Sequence, residues 1–262
     1  MRSLIVLALF GVALAAPKAS QRVVGGETTT IEENRFVADM EYSNRGVYFE
    51  PSCGAALVSN NVLISVFSCY NGDETFQWRA RLGTSVSGSG GSVQTLKSIV
   101  PHPEFDRYKN DVAVIILNNV VTLTTKIGLA RLAGASYILP AGSTITALGY
   151  GSEVEGVEES AELKKVDVNI VDQQTCFAIY DAVQEEFPYW PTIDAGMVCT
   201  GVSADGGSAC YGDNGAPVVT DGDVLYAMSS WGKNCADEEH PIVNTLVPRY
   251  TEWIISVAEG SA

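Results

Sequence analysis

The sequence predicts an all-β protein, a barrel or sandwich of two units closed by one terminal helix. Three observations carry that expectation. Short β-type runs alternate with turn-rich gaps, one amphipathic stretch ends the chain, and six cysteines offer staples. At 262 residues, with 46% apolar and 18% charged residues, there is enough apolar surface to build one large or two small domains.

The N-terminus reads as a signal peptide over residues 1–16. Arg2 supplies the positive flank, Leu4–Leu14 is an apolar run too short to span a bilayer, and Ala13-Leu14-Ala15 offers small residues for cleavage. The mature chain is therefore expected outside the cell. Ala55–Ser59, Val62–Phe67, Ala113–Leu117, Ser143–Leu148 and Val218–Thr220 are apolar or alternating and read as strands. Ser85–Ser92 is rich in Gly and Ser and reads as a mobile loop. Tyr250, Trp253, Ile254 and Val257 recur at helical spacing after Pro248, so a helix is expected there.

Charge excludes several roles. Lys plus Arg number 16 and Asp plus Glu 31, a net of −15. Phosphate backbones and anionic lipids both need a basic surface, so neither nucleic acid nor membrane is an expected partner. Acids crowd Glu153, Glu155, Glu158, Glu159 and Glu162, and again Asp237-Glu238-Glu239. Such runs are either solvated loops or an anionic rim suited to a basic partner. The six cysteines (Cys53, Cys69, Cys176, Cys199, Cys210, Cys235) permit fifteen pairings. Zinc is the rival use, but no CxxC occurs and there are two histidines.

Ordered along the chain are Arg22-Val23-Val24-Gly25-Gly26, Ser52-Cys53-Gly54, Leu63–Cys69, Asn110–Val114, Gly149-Tyr150-Gly151, Cys210–Pro217 and Ser229-Ser230-Trp231-Gly232. Together these resemble the trypsin/chymotrypsin-like serine proteases over Val23 to Ala258, in particular the secreted trypsin-like members of insects. The resemblance implies two six-stranded antiparallel β-barrels, roughly 23–130 and 131–246, with a C-terminal helix at 247–258. It implies a short activation propeptide at 17–22 and the pairings Cys53–Cys69, Cys176–Cys199 and Cys210–Cys235. It also implies that a freed Val23 ammonium would meet Asp213 after cleavage behind Arg22.

Carried residue by residue, the resemblance exposes two departures. Asp111 stands where the triad acid belongs. Ser68 stands at the base position, and a hydroxyl neither accepts a proton usefully near neutral pH nor forms a stabilised cation. Asn214 stands at the nucleophile position, and its delocalised carboxamide has no hydroxyl to acylate. His102 and His240 take neither position and are expected in structural or surface roles. The backbone at Gly212 and Asn214 retains an oxyanion-type nest. In the specificity pocket Ser208 lies at the base, Gly232 on one wall, and Ile242 replaces a glycine on the other, so a deep side chain would fit poorly. Ala216 also replaces a glycine. Gly83–Thr95 carries no acid, so no calcium or other metal is expected.

The expectation is a secreted, monomeric, catalytically inactive homologue without cofactor. It would bind a protein partner, possibly basic, or a protease inhibitor. The alternative is an active trypsin-like endopeptidase.

Overall fold

The computed structural model describes residues 26–151, 162–203, 206–209, 213–234 and 237–260. The expected signal peptide, the Arg22–Val23 junction, Glu153–Glu159, Gly212 and the Cys210–Cys235 pair lie outside those residues.

In chain order the strands of the first half are β1 (Glu27–Thr28), β2 (Val37–Tyr42), β3 (Glu50–Ser59), β4 (Val62–Ser65), β5 (Trp78–Leu82), β6 (Ser92–Pro101) and β7 (Ala113–Leu117). The second half holds β8 (Arg131–Leu132), β9 (Thr144–Gly149), β10 (Lys164–Asn169), helix α1 (Gln173–Glu186), β11 (Met197–Thr200), β12 (Pro217–Thr220), β13 (Val224–Trp231), β14 (Ile242–Leu246) and helix α2 (Thr251–Glu259). Strands β2-β3-β4-β7-β6-β5 close a six-stranded barrel. In the second sheet β10-β9-β12-β13-β14-β11 run side by side, with β1 on β10 and β8 on β13. The Gly201 N–H donates to the Asn169 carbonyl at 3.0 Å and the Val171 N–H to the Cys199 carbonyl at 2.8 Å. These bonds and an Ile170–Thr200 bridge join the ends of β10 and β11, so the second sheet also curls onto itself.

The unbroken apolar run of β7 has a physical cause. Ala113, Ile115 and Leu117 point into the first barrel's core with Leu63, Trp78 and Leu82. Val114 and Ile116 face the other way, into a core shared with Leu148, Val219, Leu225 and Met228 of the second sheet. A strand buried on both faces loses the alternation that a half-exposed strand keeps. Burial of such a side chain contributes roughly 1.5–3 kcal/mol.

The chain ends clasp the two halves. β1 pairs with β10 of the second sheet, although the sequence places residue 27 in the first barrel. α2 packs Ile254 against the shared core, and Trp253 meets the His102 ring at 5.0 Å. The expected helix is present and begins at Thr251, after a 3-10 turn at Val247–Arg249 that contains Pro248.

Two sequence readings are corrected. A second helix, α1, was not expected. Its buried residues Cys176, Tyr180 and Val183 lie at i, i+4 and i+7, and the Asp172 carboxylate accepts the Gln174 and Thr175 N–H groups at its start. The Ser85–Ser92 segment is not a free loop. The Asp39 carboxylate accepts the Ser87 hydroxyl at 3.0 Å and the Gly88 N–H at 2.8 Å, the Ser85 hydroxyl accepts the Ile31 N–H, and Ser92 opens β6. A buried carboxylate beneath the loop converts Gly/Ser flexibility into a fixed turn.

Candidate functional site

β4 and β7 are neighbours, with Ser65 opposite Ala113. Ser68 lies in the 3-10 turn that follows β4, and Asp111 lies just before β7. Strand pairing therefore brings these two residues together from 43 positions apart. The Ser68 N–H donates to Asp111 Oδ1 at 2.7 Å and its hydroxyl to Oδ2 at 2.8 Å. From the second half, the Ser230 hydroxyl donates to Oδ2 at 2.6 Å and Thr245 Oγ1 to the Asp111 carbonyl at 2.7 Å. Burial pushes the Asp111 carboxyl up to about 6, against hydrogen bonds from Ser230, Ser68 and the Phe67 backbone. The hydroxyl beside this acid, that of Ser68, already donates to it.

Asn214 is exposed and sits where the two halves touch. Its carbonyl accepts the Gly54 N–H at 2.7 Å, and Cys69 Sγ lies 3.6 Å from the same oxygen. A Cβ on Gly54 would stand 2.6 Å from the Ala216 Cα, so only glycine lets these segments meet. Behind them the Tyr70 hydroxyl donates to Ser65 Oγ at 3.0 Å, and Ser65 donates to the Gly54 carbonyl at 2.7 Å. Ser65 is thus engaged in the wall and buried. The disulfides Cys53–Cys69 and Cys176–Cys199 are formed.

Asp213 is buried, and its Oδ1 accepts the Gly151 N–H at 2.8 Å. Ser208 is buried and donates to the Ala209 carbonyl at 2.9 Å. Ile242 is 8% exposed, and a Cβ on Gly232 would lie 2.7 Å from its Cδ1. The branched side chain is therefore packed directly on Gly232.

The histidines lie apart from this cluster. His102 stacks edge-on against Tyr250 and Trp253, and burial lowers its basicity. His240 Nδ1 is 2.8 Å from Asp237, and its Nε2 is 3.2 Å from the Lys233 ammonium. Asp237, Glu239 and His240 are close enough to share an ion, but Asp237 and Lys233 engage both ring nitrogens.

Apart from Trp231, which the ordered motifs include, sequence reasoning missed the walls of the cleft. A space of about 470 Å³ opens beside Ser68 and Gly232, walled by Phe105, Tyr108, Tyr189, Trp190 and Trp231. These rings come from the β6–β7 connection, the segment after α1 and the end of β13. No periodicity links them, which is why only the fold reveals them. Among the described residues no helix is long and apolar enough to cross a membrane.

Comparison with known proteins agrees with this architecture. The family model described as Trypsin matches residues 23–254. "Trypsin, alkaline C" of Manduca sexta is 34% identical over 94% of both chains. "Trypsin CFT-1" of Choristoneura fumiferana is 32% identical over 96% of both, and "Achelase-1" of Lonomia achelous is 29% identical over 90% of this chain and all of its own. Two barrels meeting at Asp111, and matches that run through both of them, place this chain in the trypsin-like family of serine proteases.

Proposed function

We propose that the protein is a secreted, non-catalytic serine protease homologue that acts by binding. The observation that carries this reading is the Ser68 hydroxyl donating to Asp111 at 2.8 Å. A triad needs a base that takes a proton from the nucleophile and is steadied by the acid. Ser68 in that place spends its own proton on the acid, and Asn214 across the junction has no hydroxyl to activate. Loss of nucleophile or base alone costs on the order of 10⁶ in kcat in a comparable triad enzyme. Ile242 packed on Gly232 adds a steric reason why a deep substrate side chain is not received. The role that remains for an intact scaffold is recognition, of a basic protein in extracellular proteolysis, digestion or immunity, or of a protease inhibitor for which it is a decoy.

The test is direct. Recombinant protein, cut behind Arg22, is incubated with a panel of peptide substrates and with a serine-directed fluorophosphonate. The reading expects no turnover and no label. Turnover approaching that of a trypsin would refute it.

A second reading, an active endopeptidase, is favoured by Asp111, which keeps a hydrogen-bonded place in the cleft, and by relatives that carry the name trypsin. The same assay separates the two.

A further inference from the structure

The sequence contains two Asn-Gly pairs, Asn71-Gly72 and Asn214-Gly215. Each forms the centre of a tight turn. The Asp73 N–H donates to the Tyr70 carbonyl at 3.0 Å, and the Ala216 N–H to the Asp213 carbonyl at 2.8 Å. Gly72 takes φ +93° and Gly215 φ +77°, as the third residue of a type II turn requires. Both asparagines are exposed. Dipeptide and turn are matched, so tertiary surroundings alone separate the two pairs.

Those surroundings differ sharply. Gly215 is buried, and its N–H donates to the Ser229 carbonyl at 2.7 Å. The Asn214 carbonyl accepts the Gly54 N–H at 2.7 Å, and a Cβ on Gly215 would run into Ser65 Oγ and the Gly54 carbonyl. This turn is held in the junction of the two halves. Gly72 is exposed, and a Cβ built on it meets nothing within 4 Å. Among the described residues neither the Gly72 N–H nor the Asn71 carboxamide has a hydrogen-bond partner. Asn71 also borders the space beside Ser68.

We infer that Asn71 is a site of spontaneous covalent modification, at which the folded chain converts a neutral amide into a carboxylate, while Asn214 is protected. The reaction needs only the chain and water. The Gly72 nitrogen, once deprotonated, attacks Asn71 Cγ; the N–Cγ bond forms and the Cγ–Nδ2 bond breaks. Ammonia leaves, and the proton it takes up balances the one the nitrogen lost. Water then opens the five-membered imide. Attack at Cγ yields an aspartyl residue, and attack at the main-chain carbonyl yields an isoaspartyl residue. Glycine favours the first step because no Cβ hinders the approach of its nitrogen. At Asn214 the corresponding nitrogen is committed to Ser229, so the same attack requires local opening of the junction. The product adds a negative charge at the edge of the cleft, in a chain whose net charge is already −15. Only the use of that charge towards a basic partner rests on the binding role proposed above.

The experiment is prolonged warm incubation of the full mature protein at neutral and at mildly alkaline pH. Peptide mapping by mass spectrometry then separates amide, aspartyl and isoaspartyl forms at both positions. The same chain, reduced and unfolded in urea, is incubated in parallel as the reference without tertiary structure. In the unfolded chain both pairs should convert at similar rates. In the folded protein Asn71 should yield both products, faster at the higher pH, and at least about tenfold faster than Asn214, because the hydrogen bond and burial of Gly215 must first be given up. Asn71→Gln should abolish conversion at that turn, since the longer side chain would have to close a larger ring. A folded protein whose Asn71 stays intact while the unfolded chain converts, an Asn214 that converts as fast as Asn71, or a product that is aspartyl alone would each overturn the inference. None of these results bears on whether the protein cuts or binds, so this inference and the proposed function fail separately.

Discussion

Restoring the missing groups measures how much each residue withholds. The double variant Ser68→His, Asn214→Ser supplies a base beside Asp111 and a hydroxyl across the junction. Its expected hydrolysis of basic and aromatic peptide substrates is weak at best, because Ile242 still packs on Gly232. Adding Ile242→Gly to that background should raise kcat/KM at least about tenfold for aromatic substrates, which steady-state assay would read. A double variant that already matched an ordinary protease would show that Ile242 is no obstruction. The sequence made these residues legible, because each stands at a fixed offset from a cysteine or glycine landmark. It left Arg107 illegible. Nothing in Asp106-Arg107-Tyr108-Lys109 announces a cleft, and the residue's hydrogen bond to the Tyr189 carbonyl exists only in the fold.

Between elements, the contact of the two halves depends on glycine at one point. Gly54→Ala would push a methyl into the Ala216 backbone, which also accepts and donates in the turn beneath β13. Overpacking of this kind costs about 1–3 kcal/mol. Urea unfolding should show a lower midpoint, and an unchanged midpoint would mean that the junction is softer than its contacts suggest. At this scale the sequence was legible where one face of an element dominates its pattern. The α2 stripe of Tyr250, Trp253, Ile254 and Val257 is continuous, so that helix was found. In α1 three buried residues are spread among Gln, Asp and Glu, and its cap at Asp172 was the signal available. The partner of β1 could not be read, because a two-residue strand has no pattern of its own and its place is set by the long-range closure of the chain.

For the molecule as a whole, two of the buried acids, Asp39 and Asp111, should govern the pH dependence. Burial raises Asp39 and Asp111 to about 6 each, from 3.8. A folded-state pKa above the unfolded value means that the folded protein holds the proton more tightly. The resulting stability is fully present below about pH 4 and is lost as pH rises through 6. Each group accounts for about 3 kcal/mol by that shift. Asp237 works the other way: burial opposes its ionisation, but hydrogen bonds from Asn234, His240 and the Glu239 backbone outweigh it and bring it to about 2. Its contribution is lost as pH falls from 4 towards 2. Thermal midpoints should therefore peak near pH 4 to 5 and decline towards pH 7, and Asp39→Asn should flatten that decline. A midpoint that rose steadily from pH 4 to 7 would contradict the burial of these two carboxylates.

The central claim is that this trypsin-like scaffold binds without cutting. Its most direct test is intact-mass spectrometry of the activated protein after exposure to the fluorophosphonate and to an excess of acylating peptide ester. Unchanged mass, with no cleaved peptide in the same tube, is the predicted result. A stoichiometric adduct mapped to any side chain in the cleft, Ser68 included, would contradict the claim.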